Sequence, residues 1–496
     1  MKDANTYNAY GSVGLIILYA ALIFLSVFTG NFYLQMAAVA LPFLLMVFYL
    51  SVYYPLYYAG FLVLFIPLSV NLKDIGMGFG ISLPAEPMIF ILTGLLLLNL
   101  MKGRYISRSI LLHPVTIAIL VNFIWMAVTS FSSSMPMVSV KFMIIRLAFI
   151  LVFYLFFLQV FGNKKGVQQM LWLYSASLSL IIIFILLRHA QYGFVQQVNR
   201  YVTKPFFNDH TIYGAVLAML LPFFAGNLFL RRKDRIMSRF ISFAMTGILL
   251  TAIFFSYSRA VWLSIALLIP ASLLILAKVR FKYILAGIVL LAAGIIYLRA
   301  PLLDRLQNVE SERGSDIKEH AGSIANINSS ASNKERINRW ESALSMFSEK
   351  PFLGFGPGTY PFQYAPYQKE ENLTRISTYH GDKGGVHSEY LKPLSESGLP
   401  GLISFLVVIL VTIWTAFRVI YRSSDKSISI LAASLMLGLL TYYIHGFVNF
   451  FLDTDKTSAL FWGMTGMIVA LDLQRRKEQK QSYQTNTITE KLPEKK

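Results

Sequence analysis

Long apolar blocks constrain this chain more than any other feature of its sequence. Stretches such as 12–30, 170–187 and 401–417 contain no charged residue. A helix of roughly 20 residues, rising about 1.5 Å per residue, crosses a hydrocarbon core of about 30 Å. The buried helices of a large soluble protein are disfavoured as an explanation, because such helices seldom stay uncharged over this length. The blocks therefore predict an all-α integral membrane protein.

The overall composition supports this prediction. Hydrophobic residues make up 56% of the 496 residues and charged residues only 14%, whereas a soluble domain carries about 25% charged residues. We expect about 12 to 14 transmembrane helices with one large external loop that contains amphipathic helices. The predicted spans are 12–30, 33–51, 55–71, 84–101, 112–130, 143–161, 168–187, 211–230, 240–258, 260–277, 283–299, 398–417, 427–447 and 456–473.

The net charge of +19 is concentrated between the apolar blocks. It therefore indicates membrane topology rather than nucleic-acid binding, and no nucleic-acid partner is expected. Every second connection is rich in Lys and Arg, which the positive-inside rule places in the cytoplasm. Both termini are then cytoplasmic. The basic connections carry Lys102, Arg104 and Arg108; Lys164 and Lys165; Arg231 to Arg239; Lys278 to Lys282; Arg418 to Lys426; and Arg475 to Lys480.

Two connections on the opposite side are long, 188–210 and 300–397. The second has roughly 100 residues, whereas links between packed helices have about 2 to 8, so it is expected to carry function. We predict four regions. They are a transmembrane bundle over 1–299, a large external (periplasmic) loop over 300–397, C-terminal transmembrane helices over 398–473, and a disordered cytoplasmic tail over 474–496.

The large external loop is expected to contain two helices. In the first, Ile337, Trp340, Ala343, Leu344 and Phe347 recur at helical spacing, with Glu335, Asn338, Glu341 and Ser345 on the other face. This pattern predicts an amphipathic helix at the membrane surface or against the bundle. A glycine-rich turn over 351–358 ends it. A second short helix is predicted from about His387 to Ser397, before the next span.

His387 is the leading candidate for a general base. The unperturbed pKa of histidine lies nearest neutrality, which suits proton transfer. A loop histidine taken alone is more often not catalytic, and His380 is a competing candidate. No metal-binding spacing is present, the chain has no cysteine, and neither a metal nor a cofactor is expected.

Three arginines are candidates for binding an anion. A guanidinium binds phosphate or carboxylate through two parallel hydrogen bonds. Arg259 lies between two spans, Arg200 in the shorter external loop, and Arg336 on the predicted amphipathic helix. Each could instead be a snorkelling or solvated arginine. The predicted topology nevertheless places Arg200, Arg259 and His387 on the same side of the membrane.

Further polar residues are candidates for the wall of a substrate cavity: Ser388, Tyr390, His445 and Asn449. His445, Asn449 and Asp453 are spaced by four residues near the end of one predicted span. Such a stripe usually faces a bundle interior or a cavity.

Four sequence elements, in order, resemble the superfamily of O-antigen ligases and polymerases. They are Ser258-Arg259 with Trp262-Leu263; Arg336 with Trp340 and Ala343-Leu344; Pro351 to Gly358; and His387 to Leu391 followed by Gly398 to Gly401. The resemblance covers roughly residues 195–450. The family's usual pair in the last motif is His-Asn, and here Ser388 replaces the asparagine.

The resemblance implies a metal-independent glycosyltransferase of the O-antigen ligase type, with an outward-facing cavity. It would transfer a glycan from an undecaprenyl-diphosphate carrier to an acceptor hydroxyl, on lipid A core or a similar glycan, at the outer face of the bacterial inner membrane. His387 would be the base, and Arg259, Arg200 and Arg336 would bind the diphosphate. Membrane lipids would surround the bundle. A polysaccharide polymerase of the same superfamily is the alternative. A transporter is less favoured, because the notable charges lie at the outer edge rather than the midplane, and a non-catalytic scaffold is the least favoured.

Overall fold

The described part of the chain is almost entirely helical. The computed structural model describes residues 18–75, 80–103, 106–230, 236–287, 289–290, 293–294, 331–373, 377 and 384–491. The long helices are Leu18–Thr29, Phe32–Tyr53, Pro55–Leu68, Ala85–Met101, Pro114–Phe131, Pro136–Val160, Lys164–Ala190, His210–Leu228, Ile236–Phe254, Arg259–Leu276, Ala331–Glu349, Leu391–Arg422, Lys426–His445 and Asp455–Lys491. Short helical pieces occur at Leu72–Ile75, Arg108–Leu111, Gln196–Val198, Asn199–Val202, Tyr360–Gln363, Ala365–Tyr367 and Glu370–Asn372. Val70–Asn71 and Ser82–Leu83 pair as a small antiparallel hairpin.

Eight of the described helices are long and apolar enough to cross a bilayer. The prediction of an all-α polytopic membrane protein is confirmed. The division of 240–277 into two helices is also confirmed, because Ile236–Phe254 and Arg259–Leu276 are separated by a turn. The predicted span at 283–299 is described only in part, and the first residues of the span at 12–30 lie outside the described residues.

The last helix, Asp455–Lys491, lies at the centre of the bundle. Its first half, which contains the predicted span 456–473, is almost completely buried, so its polar Thr457, Ser458 and Thr465 never meet lipid. The predicted cytoplasmic tail from Gln474 onward continues the same helix as far as Lys491. Pairs three and four residues apart support the extension. Arg475 contacts both Asp472 and Gln479, for example.

A buried carboxylate joins three helices at one end of the bundle, which we call the basic end. Asp472 is completely buried and pairs with four cationic or polar partners from three helices. These partners are Arg418 at 2.5 Å, Arg476 at 2.8 Å, Arg475 at 2.9 Å and the His113 ring at 3.2 Å. Nearby, Lys164 pairs with Asp425 at 2.5 Å. The basic connections over 106–113, 161–165 and 418–426 therefore lie together. This agrees with the prediction that they lie on the same side of the membrane.

The opposite end, which we call the site end, is closed by the helix Ala331–Glu349. Its orientation corrects the sequence interpretation. Glu335, Asn338 and Ser342 are buried together with Ala343 and Met346, whereas Leu344 is 47% exposed. The rest of the loop supplies hydrogen-bond partners for the buried polar residues, such as Gln368 for Asn338. The buried face of this helix is therefore a mixture of polar and apolar residues.

The second predicted loop helix begins later than expected. It starts at Leu391 rather than near His387, and joins the following span through a kink at Gly398, whose φ is 69°. The delay has a local cause, since His387 has a φ of 53° and cannot belong to a right-handed helix. The kink coincides with the predicted boundary between the loop and the C-terminal spans.

We predict that the variant Asp472→Asn is strongly destabilised. Loss of the carboxylate leaves the buried Arg475 without a counter-charge and weakens the hydrogen bond to the buried His113 ring, which costs about 3–5 kcal/mol. The matched control is Asp425→Asn, which removes a partly exposed ion pair but keeps a capping oxygen for Ser427, and should cost below about 1 kcal/mol. The thermal midpoint of the detergent-solubilised protein measures both. Equal midpoints for the two variants would show that the Asp472 cluster does not hold the bundle together.

Candidate active site

His387 lies in a tight turn at the site end, formed by residues 384–390 and called here the His387 turn. Its positive φ of 53° places a non-glycine residue in the left-handed region, which is uncommon and persists only where surrounding contacts enforce it. The backbone N–H of Glu389 donates to the carbonyls of Gly446 at 2.8 Å and Asn449 at 3.1 Å. The turn is therefore bound to the segment that follows the helix Lys426–His445.

The helix Ala331–Glu349 forms hydrogen bonds with the other side of the His387 turn. Trp340 Nε1 donates to the carbonyl of His387 at 3.2 Å, and Arg339 Nη1 donates to the carbonyl of Gly385 at 3.0 Å. Glu335 fixes the Arg339 guanidinium at 2.7 Å. A Cβ at Gly384 would collide with that guanidinium, so a larger residue would displace Arg339 from its present contacts. These contacts explain why Arg336, on the same helix, comes close to His387.

The electrostatic environment keeps the His387 imidazole neutral. Burial, followed by the positive charges of Arg339 and Arg336, lowers the pKa of His387 to about 4. The negative charges of Asp209 and Glu335 oppose the shift but are weaker. A neutral imidazole is the form that can accept a proton.

Arg200 and Arg259 are brought to the same end by two loops that hydrogen-bond to each other. Asn199 Nδ2 donates to the carbonyl of Ser256 at 3.3 Å, and the Tyr257 hydroxyl donates to the carbonyl of Phe194 at 2.6 Å. Arg200 directly follows Asn199, and Arg259 lies two residues after Tyr257. Both are exposed, so their guanidinium groups remain accessible.

Arg336 connects these arginines to His387. Burial and then the nearby positive charge of Arg259 lower the pKa of Arg336, with Asp209 acting in the opposite direction. Its Nε is buried and has no hydrogen-bond partner among the described residues. Arg336 therefore lies near both Arg259 and His387, and Arg200 lies near Asp209, whose charge also acts on His387. A buried N–H without a partner points to a bound acceptor.

Asp209 also lies in this region, although no function was predicted for it. It caps the helix His210–Leu228, accepting from the Thr211 N–H at 2.7 Å, and it lies 3.3 Å from the His210 ring. Burial raises the pKa of Asp209, but the hydrogen bonds from Thr211 and the charges of His210 and Arg200 outweigh burial and lower it. The available signal was an aspartate placed directly before an apolar block, a typical N-cap.

The four predicted cavity residues differ in what their side chains do. His445 Nε2 and Asn449 Nδ2 lie 3.0 Å apart, and His445 Nδ1 is buried without a partner among the described residues. The hydroxyl of Ser388 instead accepts the backbone N–H groups of Tyr390 and Leu391, both at 3.3 Å. The Tyr390 hydroxyl donates to the carbonyl of Tyr443 at 2.7 Å.

The stripe predicted from His445, Asn449 and Asp453 is wrong as a helical face. The helix Lys426–His445 ends at the first of these residues, and the chain then turns. Asp453 belongs to a separate network, in which it pairs with Arg146 Nη2 at 3.0 Å and with Lys392. Equal spacing therefore did not mean a shared face. The competing candidate His380 lies outside the described residues.

The glycine-rich turn over 354–358 is a structural junction rather than a phosphate cradle. Its N–H groups already have acceptors: Gly356 donates to the carbonyl of Glu396 at 2.7 Å, and Gly358 to the Glu396 carboxylate at 2.9 Å. A second carboxylate oxygen of Glu396 accepts from the Tyr360 N–H at 3.1 Å. The described residues also contain no group of three or more His, Asp and Glu residues arranged to hold a metal ion.

Comparison with known proteins assigns a family to this region. No curated protein matches the chain. Residues 244–406 match the family model described as O-Antigen ligase. The matched segment includes Arg259, Arg336 and His387, whereas Arg200 and His445 lie outside it. The match spans about a third of the chain and supports the resemblance of this region to the O-antigen ligase and polymerase superfamily of membrane glycosyltransferases.

Proposed function

We propose that this protein transfers a glycan from an undecaprenyl-diphosphate carrier to an acceptor hydroxyl, without a metal ion. The observation that carries the proposal is that Arg336 lies near both Arg259 and His387, with Arg200 near Asp209 at the same end of the bundle. The acceptor is lipid A core or a similar glycan. The description of the matched family favours a ligase over a polymerase, in which the acceptor would be a carrier-linked glycan.

The arginines would stabilise the leaving group. As the glycosidic bond to the carrier breaks, negative charge develops on the departing diphosphate. Positioned guanidinium groups offset that charge at the moment it forms. Arg259 and Arg200 are accessible from outside, and the unpartnered Nε of Arg336 supplies a buried donor. Arg259 and Arg336 repel each other, and a diphosphate bound between them would relieve that repulsion.

His387 would act as the general base. The attacking acceptor hydroxyl must lose its proton, and the neutral imidazole can take it. The pKa of His387, lowered to about 4 by burial, Arg339 and Arg336, applies to the protein without substrate. A diphosphate bound to Arg336 would neutralise part of that positive charge and raise the pKa. Donor binding would thus strengthen the base.

An apolar groove beside the site end suits the polyprenyl chain. It has a volume of about 510 Å³ and runs between the helices Pro114–Phe131 and Leu391–Arg422. Phe347 of the helix Ala331–Glu349 closes one side, and Trp125, Phe352, Ile403 and Val407 line the rest. Since Trp340 on the same helix contacts His387, a lipid lying in this groove would place its diphosphate toward the arginines.

We further propose that the site faces the periplasm and that both termini lie in the cytoplasm of a bacterial inner membrane. The support is the gathering of the basic connections at the end opposite His387, which the positive-inside rule places in the cytoplasm. A transporter would be expected to keep its charged groups near the midplane. The described cluster is instead built by loops at one end.

We predict that His387→Ala and His387→Gln reduce glycan transfer by about 10²–10⁴-fold, the usual contribution of a general base. Transfer is measured with membranes that hold equal amounts of inserted protein. Lys369→Ala, in the same loop and with a side chain 51% exposed, is the control and should retain activity. Normal transfer by His387→Gln would exclude the base assignment.

The pH dependence gives a second readout of the same prediction. Because the base must be unprotonated, kcat/KM should stay constant as the pH falls below 6.5 and should decrease only near the His387 pKa of about 4. The corresponding limb in kcat should lie at higher pH, since the bound diphosphate raises the pKa of His387. His387→Gln should lose both limbs. If the wild-type limbs persisted in that variant, another group would be the base.

We predict that Arg259→Lys binds the carrier about tenfold or more weakly, because lysine keeps the charge but lacks the planar fork. Farnesyl diphosphate, a short and soluble carrier without sugar, is the probe, and calorimetry on the detergent-solubilised protein measures its affinity. Arg239→Lys, at the basic end, is the matched control. Wild-type affinity in Arg259→Lys would mean that this arginine does not bind the diphosphate through its guanidinium fork.

We predict that cysteines placed at the two ends of the bundle react from opposite sides of the membrane. The native chain has no cysteine, so a single introduced thiol gives the whole signal. Glu370→Cys, exposed in the large loop, should react with an impermeant maleimide added to the outside of spheroplasts. Ser424→Cys, exposed at the basic end, should react only after lysis. The reverse pattern would invert the orientation.

A further inference from the structure

A second, separate pocket opens at the site end beside the hairpin Val70–Asn71/Ser82–Leu83. Its volume is about 140 Å³, space for roughly four or five water molecules at about 30 Å³ each. Three segments close it: the hairpin with the start of the next helix, the loop 205–208, and the turn 453–456. The polar lining consists of Ser69, Asn71, Ser82, Glu86, Asn208, Asp453, Thr454, Asp455 and Lys456.

Two buried polar atoms in this lining lack hydrogen-bond partners among the described residues. They are Ser69 Oγ, on a residue that is 1% exposed, and Asp455 Oδ2, on a residue that is 7% exposed. Buried hydroxyls and carboxylates are nearly always hydrogen-bonded, because leaving them unpaired is unfavourable. Both atoms belong to residues that line the same pocket, so a ligand bound there would satisfy them.

The walls of the pocket are held in place independently of any ligand. The ammonium group of Lys456 donates to the carbonyls of Ser69, at 2.7 Å, and Phe206. It thereby ties the turn 453–456 to the other two segments. The pocket is preformed, so a ligand would not have to order it.

The charge of the pocket selects against an anion and for a hydroxyl-rich ligand. Glu86 and Asp455 bring two carboxylates against the single ammonium of Lys456, so a diphosphate would be repelled. Carboxylate oxygens accept hydrogen bonds from hydroxyl groups, and the amides of Asn71 and Asn208 both donate and accept. A sugar ring presents hydroxyls of this kind on every side.

The pocket adjoins the candidate active site. Asn208 lines it, and the next residue, Asp209, lies close enough to His387 and Arg200 for its charge to affect His387 and to be affected by Arg200. Asp453, also in the lining, keeps 34% of its side chain exposed although it pairs with Arg146 and Lys392. A glycan attached at the arginine cluster would therefore extend over this pocket.

We infer that this pocket is a saccharide subsite, which binds a hydroxyl-rich sugar residue of the glycan through Ser69, Asp455 and Asn71. The inference rests on the proposed glycosyl transfer and specifies where one of its glycans is held. The sugar belongs either to the donor glycan or to the acceptor glycan. The two sources share the same chemistry and are separated by the experiment.

The test uses two conservative variants of the full-length protein in detergent, Ser69→Ala and Asp455→Asn. Asparagine keeps the Oδ1 that accepts from the Lys456 N–H, and alanine removes only an unpaired hydroxyl. Ser69→Ala should leave the thermal midpoint unchanged. Asp455→Asn also removes a charge that acts on the buried Lys456, so Ser69→Ala decides the test if the Asp455 variant is less stable. The matched control is Glu370→Gln, which replaces an exposed carboxylate in the large external loop, away from the pocket, by an amide. The probes are farnesyl diphosphate, farnesyl diphosphate bearing N-acetylglucosamine, and oligosaccharides released by mild acid from the surface polysaccharide of a strain that carries this gene.

We expect both variants to bind one glycan probe about tenfold or more weakly while farnesyl diphosphate binds as to the wild type. Weakening confined to the farnesyl-linked sugar assigns the pocket to the donor, and weakening confined to the released oligosaccharides assigns it to the acceptor. Wild-type affinity for both glycan probes overturns the inference, as does an equal loss for farnesyl diphosphate. Failure of the wild type to bind farnesyl diphosphate would instead contradict the proposed function itself.

Discussion

The site depends on one buried carboxylate, that of Glu389. A single oxygen of Glu389 accepts the backbone N–H groups of Phe451, at 2.7 Å, and Leu452, at 2.8 Å, together with the Tyr442 hydroxyl at 2.5 Å. A left-handed histidine two residues earlier costs free energy and persists only if its neighbours enforce it. Glu389 supplies that enforcement from one side, and Trp340 and Arg339 supply it from the other. The conformation of His387 is thus imposed by the hydrogen bonds that its turn makes with residues outside the turn.

The two ends of the bundle use arginine in opposite ways. At the basic end, Arg418, Arg475 and Arg476 converge on the carboxylate of Asp472, so every buried charge has a counter-charge. At the site end, Arg336 has a buried Nε without a partner among the described residues, and its nearest charged neighbours include another arginine. Compensated charges hold helices together. Positive charges left in excess favour the binding of an anion, at some expense to the stability of the free protein.

The sequence predicted those features that depend on local pattern. Apolar blocks of membrane length gave the helices, alternating basic connections separated the two ends, and the spaced motifs identified His387, Arg259 and Arg336. Features that depend on tertiary partners were missed or inverted. Polar residues of the helix Ala331–Glu349 are buried because loop residues distant in sequence supply their hydrogen bonds. Glu389 and Glu396 gave no signal, since their ligands are backbone N–H groups that only the folded chain brings near.

The pocket beside the hairpin could not be predicted for the same reason, because Ser69, Asn208 and Asp455 come from three distant segments. The helix in the tail was not predicted because it is stabilised by polar contacts around Asp472 and Arg475. From composition alone, these charged residues look like solvent-exposed ones. A polar residue can thus belong to a cap, a buried pair or a site. Which of these it joins depends on the partners that tertiary structure provides.

In the proposed mechanism, the same arginines both bind the donor and control the base. Burial and the charges of Arg339 and Arg336 lower the pKa of His387 in the free protein, so the imidazole is then neutral but weakly basic. A strong base beside an empty, accessible site would activate water as readily as a glycan hydroxyl. Neutralisation of Arg336 by the bound diphosphate raises the proton affinity of His387 only when the donor is in place. The order of events, donor before deprotonation, then follows from electrostatics alone and requires no moving part.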